Sequence, residues 1–106
     1  MTLSTHVLDA ALGRPAAGVG IRLEDADGTV LTEAQTDSDG RVTSFAPSLD
    51  AGTYRLRFDT GGYFATSEQA GFYPEVVVTF DITDAQQHYH VPLLLSPFAY
   101  STYRGS

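Results

Sequence analysis

The sequence predicts an all-β protein, a sandwich of two sheets with about eight strands and one short helix. Apolar and polar residues alternate in short runs, most clearly from Thr53 to Asp59. Turn residues, including the pairs Asp27-Gly28 and Asp39-Gly40, separate these runs. A different pattern occurs only between Thr60 and Gly71. Short alternating segments between turns are typical of a sandwich, in which each strand buries one face.

The amino-terminal half contains four predicted strands, covering residues 3–10, 18–25, 29–36 and 41–45. Asp27-Gly28 favours a tight hairpin turn, so the second and third strands are expected to be antiparallel neighbours. In the second strand, alternation predicts an apolar inward face and places Arg22 and Glu24 on the outward face.

The carboxy-terminal half contains the helix and four more predicted strands, at 53–59, 72–82, 88–95 and 98–104. Gly61-Gly62 interrupts the alternation, and residues 63–70 are long enough for about two helical turns, with Gly71 as the expected carboxy-terminal cap. Pro74 lies near the start of the next predicted strand, where a missing amide is tolerated.

Length and composition narrow the class of protein. A chain of 106 residues without repeats, linkers or low-complexity segments predicts a single domain, residues 1–106. There is no cysteine, which excludes disulfides and thiolate chemistry. The first residues contain neither a basic segment nor a long apolar run, so a cytoplasmic location is expected.

The charge excludes several partners. The formal net charge of -7 argues against nucleic acid and anionic membranes, which both require a basic surface. The six basic residues are all arginines, and the absence of lysine excludes Schiff-base chemistry. An arginine close to histidines in such an acidic chain would form a positive pocket for an anionic or carbonyl-rich small molecule.

The last nineteen residues, from His88 to Ser106, are expected to form a site as well as part of the core. In the strand 88–95, alternation places Tyr89 and its apolar partners on one face and His90 on the other. The following strand ends in Tyr103 and Arg104, and an ending of this kind indicates a docked terminus.

Three motifs resemble those of the transthyretin-related 5-hydroxyisourate hydrolases. They are the closing Tyr103-Arg104-Gly105-Ser106, the opening segment 3–9 with Gly13-Arg14-Pro15-Ala16 and Gly18-Val19, and the central Asp39-Gly40-Arg41. The resemblance spans almost the whole chain. It implies a transthyretin-like (prealbumin-like) sandwich and a homotetramer formed from two dimers.

The resemblance also implies an activity, the hydrolysis of 5-hydroxyisourate to 2-oxo-4-hydroxy-4-carboxy-5-ureidoimidazoline in urate degradation. The implied catalytic residues are His6, Arg41, His90 and Ser106, and Tyr103 joins them in binding substrate. No cofactor or metal is implied.

These residue types suit that chemistry. Histidine, whose ordinary pKa is about 6.5, is the side chain best suited to activate water near neutral pH. We expect His6 and His90 to share proton transfer, in an order that the sequence leaves open. Arg41 is expected to hold substrate carbonyls and stabilise the oxyanion. Ser106 is expected to orient water or substrate through its hydroxyl or a terminal carboxylate.

Each residue has a structural alternative when the resemblance is set aside. A strand histidine is more often a satisfied core or surface residue than a catalyst. Arg41 follows an Asp-Gly turn and could simply pair with Asp37 or Asp39, and Arg104 with the terminal carboxylate. Tyr103 could fill the core or an interface. Arg104 is expected to be more structural than chemical.

Several other functions compete with this hydrolase. His88 and His90 on one strand face, with His6, would resemble a three-histidine zinc site. Ser4, Ser96 and Ser101 lack the Gly-x-Ser-x-Gly pattern of a serine hydrolase. A transthyretin-type carrier of a small aromatic ligand is the main rival, although the carrier relatives lack the closing Tyr-Arg-Gly-Ser. An adhesion module would be expected to have a leader, linkers or repeats.

The predicted assembly depends on edge strands. Strands 72–82 and 98–104 contain few charges that would prevent pairing between subunits. Pro92, Leu94 and Tyr100 are expected to be exposed on the monomer and to lie at subunit contacts.

Overall fold

The structure is a computed structural model that describes residues 2–45 and 48–106. This part of the chain contains nine strands and one helix. In chain order they are β1 (Thr2–Asp9), β2 (Arg14–Pro15), β3 (Gly20–Asp25), β4 (Val30–Gln35), β5 (Arg41–Val42), β6 (Gly52–Phe58), α1 (Thr60–Thr66), β7 (Val76–Ile82), β8 (His88–Ser96) and β9 (Ala99–Thr102).

The strands form two sheets, which confirms the predicted all-β sandwich. One sheet has the order β4-β3-β6-β7, with antiparallel neighbours throughout. The other has the order β2-β1-β8-β9, and β5 also pairs with β1. The predicted hairpin between β3 and β4 is confirmed. The pairing of β1 with β8 is parallel. It brings a strand from the start of the sequence beside a strand near its end.

The core lies between the sheets and takes apolar residues from both. Its fully buried large side chains include Leu3, Leu23, Leu56, Phe58, Leu93 and Leu95. The inward face predicted for the 88–95 strand is confirmed, since Tyr89 and Val91 are also buried. Burying apolar area of this kind is the main favourable contribution to folding.

The helix is shifted from its predicted position of 63–70. It starts at Thr60 because Asp59 caps it, accepting a hydrogen bond of 3.0 Å from the Gly62 amide. A side chain at Gly62 would place its Cβ 3.0 Å from the Asp59 Cγ, so this glycine allows the cap to form. The predicted cap at Gly71 is wrong, because the helix ends at Thr66 with Ser67 as its cap.

Other boundaries differ for reasons of backbone hydrogen bonding. The strand predicted from Phe72 starts at Val76, because the Phe72 amide donates to the Pro97 carbonyl, at 2.7 Å, and not to β6. The Pro74 carbonyl accepts from Gly61, at 2.8 Å. The two-residue β2, which pairs with the end of β1, was not predicted.

Two side chains are buried, Glu24, which was predicted to lie on the outward face of its strand, and Pro92, which was expected to be exposed. Glu24 is only 5% exposed, because Arg57 of the neighbouring β6 lies over it, with Nε and Oε2 2.8 Å apart. That hydrogen bond is the main reason why the pKa of Glu24 is lowered. Pro92 is buried because β8 lies between β1 and β9, whereas Leu94 is half-buried and Tyr100 is exposed.

A buried carboxylate joins α1 to the end of β1. Asp9 is 1% exposed and accepts hydrogen bonds from the Tyr63 hydroxyl (2.6 Å), the Gln69 amide (3.0 Å) and the Leu12 backbone amide (2.9 Å). Burial raises its pKa, but these hydrogen bonds together outweigh burial, so the pKa is lowered. Burial and the neighbouring carboxylate raise the pKa of Tyr63 to about 12.

Among residues 2–45 and 48–106, no helix has the length and apolar character needed to cross a membrane.

Candidate active site

Three strands from distant parts of the chain bring the predicted polar residues onto one sheet face. Alternation in β1 places Ser4 and His6 on the same face. The antiparallel register of β1 with β5 sets His6 opposite Arg41. The parallel register of β1 with β8 sets Ser4 opposite His90. His6, Arg41 and His90 therefore lie close together, although the sequence separates them widely.

The turn before β5 fixes Arg41 beside β1. The Asp37 carboxylate accepts from the backbone amides of Asp39 (2.9 Å) and Arg41 (3.0 Å). Gly40 has a φ of +75°, and its carbonyl accepts from Val7 of β1 at 2.7 Å. A Cβ at Gly40 would overlap the Val7 carbonyl oxygen, so only glycine allows this close approach.

The Asp37 contact tests the structural alternative for Arg41. Asp37 bonds the backbone of Arg41. Within the described residues, the ion pairs are Arg22–Glu33, Arg57–Glu24 and Arg57–Glu75, so the Arg41 guanidinium forms none. The Arg41 side chain is exposed beside the histidines, where it is available to an anionic or carbonyl oxygen.

The turn also orients His6. Its Nε2 lies 2.9 Å from the Asp39 carbonyl oxygen. A carbonyl oxygen only accepts hydrogen bonds, so Nε2 must carry the proton in this contact. In neutral His6 the lone pair is therefore on Nδ1.

The last residues of the chain return to the site. The Gly105 amide donates to the His90 carbonyl at 2.8 Å, forming an isolated antiparallel bridge. A Cβ at Gly105 would overlap the His90 ring, lying 3.1 Å from its Cγ. This close packing holds the ring and brings Ser106 to the edge of the site.

A hollow of about 200 Å³ lies at the centre of this arrangement. The residues that line it are Ser4, Thr5, Arg41, Val42, Thr43, His88, His90 and Ser106. His6 is not part of the lining, but it lies directly beside it, opposite Arg41. Three of the four residues predicted to be catalytic thus contact one small cavity.

The surroundings of His90 lower the pKa of its imidazole. Burial lowers its pKa, and the positive charges of Arg41, His88 and His6 lower it further, against a hydrogen bond to the Ser4 backbone. Burial and the neighbouring charges thus favour the neutral form of the His90 imidazole. A neutral imidazole beside a cation is suited to accept a proton.

Ser4, Thr2 and His88 were not predicted as part of this hydrogen-bonding network. The Ser4 hydroxyl lies 2.7 Å from His90 Nδ1 and 3.2 Å from His88 Nε2. His88 Nδ1 in turn contacts the Thr2 hydroxyl. Thr2 and Ser4 alternate with buried residues along β1, but only the register with β8 shows which histidines they meet.

Tyr103 and Arg104 are not among the residues that line the hollow. Tyr103 is 59% exposed and does not line the hollow, and its role in binding substrate stays a prediction. The Arg104 guanidinium lies over the Tyr89 ring, 4.6 Å from its centroid, and donates to Gln87 Oε1 at 3.0 Å. These contacts give Arg104 a structural role, as expected, but through Tyr89 and Gln87 and not through a carboxylate.

The alternative of a three-histidine zinc site requires His6, His88 and His90 to converge on one point. Over 2–45 and 48–106, no three His, Asp or Glu residues are grouped so that they could hold a metal ion. The rings of His88 and His90 are stacked with centroids 6.5 Å apart, and Ser4 lies between their nitrogens. The zinc alternative therefore has no geometric support in this part of the chain.

A larger hollow, of about 580 Å³, lies on the other sheet, beside β3, β4 and β6. Its charged residues include Arg22, Glu33, Arg57 and Glu75, which pair with one another across the surface. Its lining contains no histidine and no hydroxyl side chain. The smaller hollow has the groups needed for proton transfer, so we take it as the candidate site.

Known proteins resemble the chain over almost its full length. The sequence-family model described as HIUase/Transthyretin family matches residues 3–105. A protein named 5-hydroxyisourate hydrolase from Salmonella dublin is 48% identical over 109 aligned residues, covering 98% of this chain and 80% of the relative.

Solved structures agree with this match. The 5-hydroxyisourate hydrolase of Klebsiella pneumoniae superposes with a TM-score of 0.92 at 39% identity, covering 100% of both chains. Sea bream transthyretin, solved in complex with thyroxine, also has a TM-score of 0.92, at 33% identity, covering 99% of this chain and 95% of the other. The same fold therefore occurs in an enzyme and in a protein that binds thyroxine.

Proposed function

The chain belongs to the HIUase/Transthyretin family, and from that premise we propose that it hydrolyses 5-hydroxyisourate at the site between β1, β5 and β8. One observation carries the assignment to this site. His6, Arg41 and His90 lie on one sheet face, and Ser106 is at its edge. These residues provide a base, a fixed cation and donors around one small cavity, which suit attack of water on a cyclic amide.

His90 is the general base in this mechanism. Its lowered pKa keeps the ring neutral, so it can remove a proton from water as the water oxygen attacks the ring carbonyl carbon of the substrate. The C–N bond then breaks, and the departing nitrogen must receive a proton. His6 lies on the same face and supplies that proton when it is charged. When His6 is neutral it orients the water, and His90 passes the proton taken from water to the departing nitrogen.

Arg41 provides electrostatic stabilisation of the charge that develops during the reaction. A guanidinium is always charged and offers donors in a planar fork that matches two carbonyl oxygens. In the tetrahedral intermediate the carbonyl oxygen becomes negative, and Arg41 stabilises that charge more than it stabilises the neutral ground state. Its side chain has no carboxylate partner among the described residues that would compete with the substrate.

Ser106 and Tyr103 have supporting roles. Ser106 lines the hollow with His90, where its hydroxyl or a terminal carboxylate orients water or a substrate oxygen. Tyr103 is exposed, and we propose that it contacts the part of the substrate, or of a second subunit, that lies outside the hollow. The mechanism uses no metal and no cofactor.

The assembly predicted from the sequence is a homotetramer, a dimer of dimers of one transthyretin-like domain (1–106). Exposed aromatic residues near the β9 edge support it, because Phe72 is 69%, Phe98 71% and Tyr100 42% exposed. Apolar rings at a sheet edge are suited to pairing with another copy. Size-exclusion chromatography with light scattering should give four times the mass of the chain, and a stable monomer would contradict this assembly.

A carrier of small aromatic ligands is the second candidate, supported by the TM-score of 0.92 with the thyroxine complex of sea bream transthyretin. The two functions differ in turnover, because only the hydrolase converts its ligand.

An assay of turnover separates them. Urate oxidase generates 5-hydroxyisourate in solution, and the ultraviolet decay of 5-hydroxyisourate is followed with and without the purified protein and a chelator. Faster decay that survives chelation supports the hydrolase. Unchanged decay with a folded protein that binds thyroxine supports the carrier, and acceleration lost with chelator supports a metal site.

The cytoplasmic location also stays a prediction. Fractionation of cells that express the protein with an epitope tag tests it.

A further inference from the structure

We propose that Ser4 and His88 are positioning residues for this reaction, forming with His90 a hydrogen-bonded chain that carries a proton between His90 and solvent. The inference rests on the proposed hydrolase function for its purpose, but its geometry stands independently. Ser4 is 9% exposed, whereas His88 is exposed. The chain thus runs from the half-buried base to the protein surface.

The contacts of Ser4 are unlike those of a structural hydroxyl. Thr5, the next residue of β1, donates to the Val91 carbonyl at 2.6 Å, the usual way in which a strand hydroxyl is satisfied. The Ser4 hydroxyl instead lies within hydrogen-bond distance of two imidazole nitrogens, 2.7 Å from His90 Nδ1 and 3.2 Å from His88 Nε2. The two rings are nearly parallel, at 14°.

A serine hydroxyl has one proton and two lone pairs, so it can bridge two imidazoles by donating to one and accepting from the other, or by accepting from both. A proton passes along this hydrogen-bonded chain only when Ser4 both donates and accepts, which leaves two arrangements. In the first arrangement His90 Nδ1–H donates to Ser4, and Ser4 donates to His88 Nε2. His90 Nε2 then has a lone pair and acts as a base.

The second arrangement reverses both hydrogen bonds. His88 Nε2–H donates to Ser4, Ser4 donates to His90 Nδ1, and His90 Nε2 carries the proton and acts as an acid. Hydrolysis of an amide needs a base for the water and an acid for the departing nitrogen. One chain of three side chains therefore provides both forms of His90.

The proton transfer between the two arrangements balances. Water gives a proton to His90 Nε2, the Nδ1 proton moves to Ser4, and the Ser4 proton moves to His88 Nε2. The positive charge is then on exposed His88, which releases its Nδ1 proton to solvent. This transfer moves the charge away from Arg41, beside which a charged His90 would be unfavourable.

The test uses variants of the full protein. Ser4→Ala removes the bridge, His88→Ala removes the outer end, and Ser4→Thr keeps a hydroxyl. Ser67→Ala is the matched control, because it also removes a hydrogen-bonded serine hydroxyl, but at the end of α1. Circular dichroism and size-exclusion chromatography check that each variant is folded and assembled like the wild type.

We expect Ser4→Ala and His88→Ala to lower kcat by about 10-fold to 10²-fold with little change in KM. Ser4→Thr and Ser67→Ala should retain kcat. Added imidazole should restore turnover to His88→Ala, where the exposed outer end is missing, but not to Ser4→Ala. A kcat within about twofold of wild type in both Ser4→Ala and His88→Ala would overturn the inference.

A second readout does not depend on activity. The ¹⁵N shifts of the imidazole nitrogens report which ring nitrogen carries the proton. We expect Ser4→Ala to change the tautomer balance of His90, and Ser67→Ala to leave it unchanged. If His90 keeps the wild-type tautomer balance in Ser4→Ala, the hydrogen-bonded chain through Ser4 does not exist in the wild type. If the tautomer balance changes but wild-type protein does not hydrolyse 5-hydroxyisourate, the proposed function is wrong, whereas the hydrogen-bonded chain of Ser4, His88 and His90 is still supported.

Discussion

His6 and Arg41 lie directly opposite each other across the antiparallel pair of β1 and β5. The turn at Asp39-Gly40 makes this possible, because its backbone bonds β1 on one side and the His6 ring on the other. The backbone of the cationic Arg41 and the hydrogen-bonded ring of His6 are thereby held side by side on paired strands, an arrangement that suits stabilisation of a developing oxyanion.

Replacing Arg41 tests that relationship. Arg41→Ala should lower turnover by about 10²-fold or more, because one electrostatic donor to the oxyanion is lost. The fold should remain, since the side chain is exposed. The matched control is Arg22→Ala, which removes an exposed arginine on the other sheet, paired with Glu33. Turnover near the wild-type rate in Arg41→Ala would show that Arg41 is not part of the reaction.

The packing of Gly105 on His90 gives a second prediction. Gly105→Ala should displace the His90 ring and Ser106, because the new Cβ would overlap the ring. We expect a large loss of turnover with little loss of stability, measured by the decay assay and by urea unfolding. Gly20→Ala is the control, since its Cβ would meet only Asp59 Cβ, at an ordinary 3.8 Å. Equal activity of the two variants would contradict the placement of Gly105.

The pH dependence of activity should follow His90. Burial and the charges of Arg41, His88 and His6 lower the pKa of this imidazole, so its neutral form persists to lower pH than in a free histidine. Turnover should therefore be lost only as the pH falls below the ordinary histidine range. Titration of His90 by NMR in Arg41→Ala should give a higher pKa than in the wild type, because a repelling charge is gone. An unchanged or lower value would contradict this electrostatic coupling.

Asp9 should contribute to the loss of stability in acid. Its folded pKa is lowered from 3.8, so its contribution is complete above that value and is lost as the pH falls through the lowered value. Asp9→Asn should destabilise the protein by about 1 to 3 kcal/mol at pH 7, because the amide cannot accept all three hydrogen bonds. In urea unfolding, the difference from wild type should shrink below the pKa of Asp9. The control Asp27→Asn, at an exposed carboxylate, should change stability little at pH 7.

The fold was largely predictable from the sequence because alternation and turn residues are local signals. The hairpin at Asp27-Gly28 and the inward face of β8 follow from them. Local patterns do not show which strands become neighbours. This is why the sequence did not show that Glu24, on the outward face of β3, is covered by Arg57 of an adjacent strand. For the same reason Pro92, buried in an inner strand, was expected to be exposed.

The site was predictable only in part, for the same reason. The resemblance implied His6, Arg41, His90 and Ser106. The last three line one hollow, and His6 lies beside it, opposite Arg41. Ser4 and His88 could not be assigned from the sequence, because their contacts depend on the parallel register that pairs Ser4 with His90. A strand pairing between the two ends of the chain leaves no trace in the order of residues along either strand.

The decay of 5-hydroxyisourate with wild-type protein and with His90→Gln is the most direct test of the proposed site. We predict that the wild type accelerates decay in the presence of chelator, and that His90→Gln, folded and tetrameric, loses about 10²-fold or more of that acceleration. No acceleration by a folded wild-type tetramer would contradict the hydrolase function. Acceleration by His90→Gln at the wild-type rate would contradict the site.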